Sequence, residues 1–380
     1  MHPSIRIAAI ADDLTGALET GVHFARGPDG AIVVTNLGAM PAGACGIVAD
    51  TESRHLPEAD AAAALRRAAV ELNAGHADLL FKKTDSTLRG PIAAELAALV
   101  ECNPGRSVLF APGYPSLGRT VRGGVLHVFG VPVHCTEFGA ERLNPVTESE
   151  VRSLLAPRLR LPMRVLRPDE LVRTSEPTLT IVDSETDADV RAAARFLAAE
   201  PRDWIAAGTS LLAAQLAGEL HWPPLRTVRP PANCMVINGS VHSRPLAQVA
   251  DAAARGWPRV SPAEIRSSGC PPGWWILNTD QLEGEGIDRA RRTGDAVLNI
   301  LTNCPVEALC IFGGDTAFGI AQSLGQPVWT PLGEVMSAVP MSELAWSQQR
   351  LRIITKAGAF GPVDLLTRLR NAAGEGAHEH

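Results

Sequence analysis

The chain has 380 residues, 46% of them hydrophobic and 20% charged, with 35 basic against 41 acidic side chains and a formal net charge of −6. One hydrophobic core rarely serves a chain of this length, so two domains are expected, and the ordinary composition excludes a disordered or fibrous protein. The mild negative charge gives no general basic field, which excludes non-specific nucleic-acid binding and requires any anion site to be local.

From Met1 the sequence enters the short apolar run Ile7 to Ala11 and meets Asp12 and Asp13 at once. That start fits no signal peptide, no apolar run approaches a membrane span, and the cytoplasm is the expected location. Short apolar runs alternate with Ala/Leu-rich stretches, which predicts an α/β fold of largely parallel sheet flanked by helices. Strands are expected at 5–10, 31–35, 46–49, 79–82 and 108–111, and helices near 15–25, 58–72 and 91–101, the last with Pro91 in its first turn. The Gly- and Arg-rich stretch from Pro112 to Gly124 reads as a long loop leading into a hairpin at 125–133. His127 and His134 on that hairpin are read as structural. Further strands are expected at 179–182, 204–206, 235–237, 275–277, 309–312 and 352–355, each followed by a helix.

Four prolines between Trp222 and Pro231 interrupt helix and sheet alike. They divide the chain into an N-terminal α/β domain (1–222), a Pro-rich linker (223–231), a C-terminal α/β domain (232–372) and a frayed tail (373–380). The cysteines at 45, 102, 135, 234, 270, 304 and 310 form no C-x-x-C pair, so they are read as buried or free thiols rather than as disulfides or a zinc site.

In open α/β sheets ligands bind beyond the carboxyl ends of the strands, so the polar residues after each apolar run carry the functional reading. Asp12 and Asp13 follow the first strand; one can serve as a helix N-cap, and the other is then free for a hydroxyl or a cation. Arg54 follows the third strand in Asp50-Thr51-Glu52-Ser53-Arg54 and offers a fork either to a bound carboxylate or to an acid such as Glu52. The loop Lys82 to Gly90 gathers two ammoniums, Asp85, three hydroxyls and Arg89 between a strand and a helix. Strand alternation sends Lys82 and Lys83 to opposite faces, so one of them at most enters a given pocket. Lys83 and Arg89 can neutralise an acid group while Asp85 takes a hydroxyl proton; a solvated charge cluster is the plain alternative.

In the second half, Asn238-Gly239-Ser240-Val241-His242 and Gly313-Gly314-Asp315-Thr316 each read as strand, small-residue turn, helix, with Lys356-Ala357-Gly358 after a third strand. Such turns let backbone N–H groups approach phosphate, although each alone is as compatible with simple packing. Neither G-x-x-x-x-G-K-[ST] nor G-x-G-x-x-G occurs, and there is no H-E-x-x-H or G-x-S-x-G.

Taken in order, these motifs resemble the four-carbon acid sugar kinase family from Ile7 to about Leu369. The likeness rests on Ile10 to Ala17, Lys82 to Gly90, Gly118-Arg119-Thr120 with Gly123-Gly124, Gly130 to Val133, Gly313 to Thr316 and Thr355 to Gly361. The resemblance implies ATP-dependent phosphorylation, with Mg²⁺, of the terminal hydroxyl of threonate, erythronate or 3-oxo-tetronate in an interdomain cleft. It places Asp12, Asp13, Arg54, Lys83, Thr84, Asp85, Ser86 and Arg89 on the sugar acid. It places Ser240, His242, Gly313, Gly314, Asp315, Thr316, Lys356 and Gly358 on ATP.

The compact Lys83-Thr84-Asp85-Ser86 form is similar to the threonate and erythronate kinases. Departures are His242, where the family often has a second Ser, and Gly208-Thr209-Ser210, where Gly-Ser-Ala-Gly is common. Asp85 is the expected proton acceptor, with Asp12 next and Asp315 on the nucleotide side; the metal ligands stay unassigned. A hydroxy-acid aldolase or dehydrogenase, or a sugar-acid sensor, are the competing readings, and a homo-oligomer is compatible with all of them.

Overall fold

The computed structural model describes the chain except for residues 1–4, 28–29, 36–45, 283, 285, 326–327, 358–359 and 375–380. Cys45, Gly358 and most of the expected tail therefore lie outside the described residues. The chain divides into two compact units, Met1–Pro224 and Leu225–His380.

The first unit runs β1 (Ile7–Ala11), α1 (Leu14–Phe24), β2 (Ile32–Val34), β3 (Gly46–Asp50), α2 (Glu58–Glu71), β4 (Leu79–Lys83), α3 (Ile92–Cys102) and β5 (Ser107–Ala111). It continues with β6 (Arg119–Arg122), β7 (Val125–Val128), β8 (Val131–Pro132), α4 (Val151–Leu155), β9 (Met163–Leu166), β10 (Leu179–Val182), α5 (Asp187–Ala199), β11 (Trp204–Gly208) and α6 (Ser210–Glu219). Its main sheet has the order β2-β3-β1-β4-β11-β5-β10-β9 and is parallel throughout. The central strands are buried along their whole length, which is why they read as unbroken apolar runs rather than as alternation. β6, β7 and β8 form a small antiparallel sheet of their own. His127 and His134 bond Val125 O and Ser149 there, a structural use.

Register decides where the chemistry falls. Ala11 pairs with both Asp50 and Lys83, and Gly208 pairs with Lys83, so β1, β3, β4 and β11 end level. The residues that follow them meet at one edge. Pro91 occupies the cap of α3, which begins at Ile92, one residue later than expected.

The second unit runs β12 (Cys234–Asn238), α7 (Ser243–Ala254), β13 (Arg259–Val260), α8 (Pro262–Ser268), β14 (Trp274–Leu277), α9 (Gly286–Asn303), β15 (Ala308–Phe312) and α10 (Gly314–Ser323). β16 (Val328–Met336), β17 (Val339–Trp346), β18 (Gln349–Lys356) and α11 (Leu365–Gly374) complete it. The sheet order is β13-β14-β12-β15-β18-β17-β16, parallel as far as β18 and antiparallel beyond it.

The sheet is largely parallel, as expected; the antiparallel strands β16 and β17 are not among the strands read from the sequence. Their turns use left-handed Ala338, Ser347 and Gln348 in place of the Asn-Gly or Asp-Gly that marks a hairpin in sequence. The cysteine reading is also corrected. Cys270 and Cys304, 34 residues apart, are joined by a disulfide that ties the segment after α8 to the end of α9, with Cα atoms 6.0 Å apart. Proximity here is a product of tertiary folding, which no local spacing announces. Cys234 and Cys310 are buried thiols, and burial pushes Cys310 up to about 12.

Candidate active site

The edge shared by β1, β3 and β4 holds a cluster of buried charge. Asp13 caps α1, accepting Gly16 N at 3.0 Å and Thr15 Oγ1 at 2.6 Å. The same carboxylate pairs with Arg54, Nη2 to Oδ1 at 2.7 Å, so the cap and the site are one residue. Arg54 Nε donates to Asp12 Oδ2 at 2.7 Å, and Nη2 lies 3.6 Å from Asp85 Oδ1. The Arg54 fork is thus taken by Asp12 and Asp13. Glu52, the acid suggested by sequence, instead accepts Leu14 N at 3.0 Å across the start of α1, from a backbone at φ 45°. Burial opposes charge on Asp13, but Arg54 and Lys83 hold its carboxyl below the usual range.

Asp85 is gripped from both sides. Arg89 donates Nε to Oδ2 at 2.9 Å and Nη2 to Oδ1 at 2.7 Å, and Thr87 N adds a third bond at 3.0 Å. Burial works against the charge, yet Arg89 and Arg54 hold this carboxyl well below the ordinary range. Arg89 reaches on to Glu141 at 3.3 Å. Ser86 sits half-buried on the rim of the same loop.

The two lysines diverge as strand alternation requires. Lys82 turns to Glu95 on α3 at 3.1 Å. Lys83 turns to α1, where a Cβ on Gly16 would stand 2.7 Å from its Nζ, so the ammonium lies close against the backbone of that helix. Lys83 Nζ donates to Thr84 O at 3.0 Å and, among the described residues, has no direct ion-pair partner. Among the described residues, Asp12 Oδ1, Thr84 Oγ1 and Asp50 Oδ2 are buried oxygens of this edge with no hydrogen-bond partner.

Sequence reasoning passed over Glu19, Asp50, Glu95 and Glu141. Burial, with Asp13 adding to it against Lys83, pushes Glu19 to about 7, and Ser210 Oγ donates to it at 3.1 Å. Burial pushes Asp50 to about 8. The available signal for Glu19 was a lone acid in α1, a helix otherwise built of Leu, Ala, Gly, Val, Phe, two Thr and one His.

The second unit brings its expected residues together by the same rule. Asn238 pairs with Phe312 and Phe312 with Lys356, so β12, β15 and β18 end level. Gly239 N donates to Phe312 O at 3.0 Å, and Ser240 N donates to Asn238 Oδ1 at 3.1 Å. A Cβ on Gly239 would fall 1.7 Å from Thr316 Oγ1, and Gly313, at φ 108°, begins α10. His242 caps α7, and Asp315 is the acid of the first turn of α10. The Lys356 ammonium is buried over Phe312 and Phe360, 5.1 and 4.5 Å from their ring centroids. Among the described residues no group of three metal-ligating side chains occurs.

Residues 7–216 match the model of a sugar-binding N-terminal domain, and residues 278–366 that of a nucleotide-binding C-terminal domain. A D-threonate kinase of Bordetella bronchiseptica is 33% identical, over 97% of this chain and 98% of its own. The chain belongs to the four-carbon acid sugar kinase family. A 3-oxo-tetronate kinase of Methylobacterium radiotolerans is 26% identical over 96% of this chain and 98% of its own. A solved structure from Bordetella bronchiseptica, described as a domain of unknown function with bound citrate in a domain-swapped dimer, is 28% identical. It covers 97% of this chain and 98% of its own, with a TM-score of 0.51. As a member of this kinase family the protein is a phosphotransferase, which sets aside the aldolase, dehydrogenase and sensor readings. Among the described residues no helix is long and apolar enough to cross a membrane.

Proposed function

We propose that the protein transfers the γ-phosphoryl group of ATP to the C4 hydroxyl of D-threonate or D-erythronate, in preference to 3-oxo-tetronate. The observation that carries this reading is the buried edge of the first unit, where Lys83 keeps spare N–H donors and where, among the described residues, Asp12 Oδ1 and Thr84 Oγ1 are unpartnered. A short polyhydroxy acid matches that set: its carboxylate suits Lys83, and its hydroxyls suit oxygens that lack donors. The citrate held by the Bordetella structure, itself a hydroxy-acid anion, agrees with it.

The proton of the attacking hydroxyl goes to Asp12 Oδ1 in this reading, which revises the expectation for Asp85. Arg89 and Thr87 already saturate Asp85, and a carboxyl held so low is a weak base, whereas Asp12 keeps one oxygen open. Asp85 then serves to fix Arg89 and Arg54. Transfer of a phosphoryl group asks mostly for positioning and neutralised charge, so a modest base suffices.

The amino ends of α7 and α10 offer the N–H groups of their first turns to the phosphates, while the N–H groups of Gly239, Ser240 and Gly313 hold the turns themselves by bonding Phe312 O, Asn238 Oδ1 and Lys356 O. Mg²⁺ fits as an ion carried by the phosphates with Asp315 as its protein carboxylate, supplying charge neutralisation; one or two carboxylates are its usual protein share. A homodimer is the proposed assembly, by analogy with the Bordetella structure, and light scattering checks it.

The test is a coupled ADP-release screen over the isomers of threonate, erythronate and 3-oxo-tetronate, with pentonates as controls and phosphorus NMR locating the new ester. A C4-phosphorylated threonate or erythronate is expected. Turnover confined to pentonates, or an ester at C2 or C3, overturns the assignment.

A further inference from the structure

Behind the charged edge lies a second ion pair that touches none of the proposed substrate groups. Lys82 is wholly buried and its Nζ stands 3.1 Å from Glu95 Oε2, whose side chain is 1% exposed. The same ammonium donates to Lys83 O at 2.9 Å. Glu95 Oε1 hydrogen-bonds Ser53 Oγ, which contacts Thr51 Oγ1 at 2.7 Å, and Thr51 Oγ1 donates to Ala11 O at 2.8 Å. Arg54 N closes the ring by donating to Asp12 O at 3.2 Å.

These contacts land on a site residue or on the residue directly before one. Ala11 precedes Asp12, Ser53 precedes Arg54, and Lys83 O fixes the carbonyl between Lys83 and Thr84. Taking two charges out of water is costly, and a buried pair is commonly replaced by apolar residues of like volume with no loss of stability. The neighbouring sheet positions Ile10 and Phe81 are apolar, so packing alone does not call for a lysine at 82.

We infer that Lys82, Glu95 and Ser53 are positioning residues for phosphoryl transfer, a hydrogen-bonded brace on α3 that holds the ends of β1, β3 and β4 in register. In this arrangement Asp12, Arg54 and Lys83 face one substrate at fixed separations. The inference rests on the sugar-acid reading of this edge. A network of this kind acts as a unit, because a displacement of about 1 Å at a reacting group costs on the order of 10²-fold in rate.

The experiment replaces the brace without leaving an unpaired charge. Lys82→Met/Glu95→Leu is compared with wild type by thermal melting, by steady-state kinetics for acid and ATP, and by amide hydrogen exchange. The expected result is a melting temperature near the wild-type value with a kcat/KM for the acid reduced about 10²-fold. KM for ATP stays constant, and exchange accelerates at Thr51 to Arg54. Full turnover with unchanged exchange in a folded double variant makes the pair merely structural and overturns the inference.

Should the double variant not fold, Ser53→Ala cuts the brace while leaving the ion pair. It is expected to lower kcat/KM for the acid at least about threefold, with melting lowered only by the few degrees that one lost buried hydrogen bond costs. Wild-type activity with Ser53→Ala is contrary. If wild type itself releases no ADP with any four-carbon acid, the functional reading fails. The exchange rates at Thr51 to Arg54 then still decide the brace.

Discussion

The two proposed binding regions are built from opposite materials. The sugar-binding unit concentrates Asp12, Asp13, Arg54, Lys83 and Asp85 as buried charged side chains that mostly satisfy one another. The nucleotide-binding unit presents Gly239, Ser240, Gly313, Gly314 and Thr316, with Asp315 as the acid of its helix turn. A region made of matched charges is sensitive to ionisation and to loss of a partner. A region made of turns is sensitive to added volume, since its ligand groups are backbone N–H.

The sharpest way to break the comparison is at Asp12. Asp12→Asn is expected to lower kcat by about 10² to 10⁴, the usual worth of a positioned proton acceptor, with folding kept. Turnover within threefold of wild type contradicts the role. Arg54→Ala comes next. It leaves Asp12 and Asp13 without their cation, and a destabilisation of about 3–5 kcal/mol is expected in urea titration.

Glu19 gives a pH test of the charged region. Its carboxyl sits at about 7 in the folded chain against an ordinary 4.5, so the folded state keeps a proton that the unfolded chain gives up. Its contribution is therefore full below about pH 4.5 and is lost as pH rises through 7, and Asp50, near 8, acts in the same direction. Glu19→Gln is expected to flatten the fall in stability between about pH 4.5 and 7, by up to about 3 kcal/mol once pH 7 is passed. An unchanged slope excludes the burial argument.

The smallest effect belongs to the turns. Gly239→Ala puts a methyl group where Thr316 Oγ1 now lies, and KM for ATP is expected to rise about tenfold while KM for the acid holds. A rise in the acid's KM instead breaks the division of labour.

Much of this was legible in sequence because it depends on local pattern. Buried parallel strands read as apolar runs, and Asp12, Lys83 and Gly313 stand at the strand ends where the sequence pattern puts them. Asp13 was legible as a cap but not as a simultaneous partner of Arg54, for the pairing spans 41 residues. Asp85 looked like a base because its saturation by Arg89 and Thr87 exists only in three dimensions. Glu95 was invisible for the same cause: one acid on a helix becomes a brace only when Lys82 and Ser53 are brought to it. The hairpin at Ser347-Gln348 and the Cys270–Cys304 bond escaped because neither uses the residues or spacing that normally announce it.

The division between charged and turn-built regions is tested most directly by one pair of Michaelis constants, those of Lys83→Met for the sugar acid and for ATP. Lys83 is a buried ammonium with spare donors, so the acid's KM is expected to rise at least about tenfold while that of ATP stays within twofold. A variant whose ATP constant rises while its acid constant is unchanged would place the phosphates on the charged edge and contradict the account.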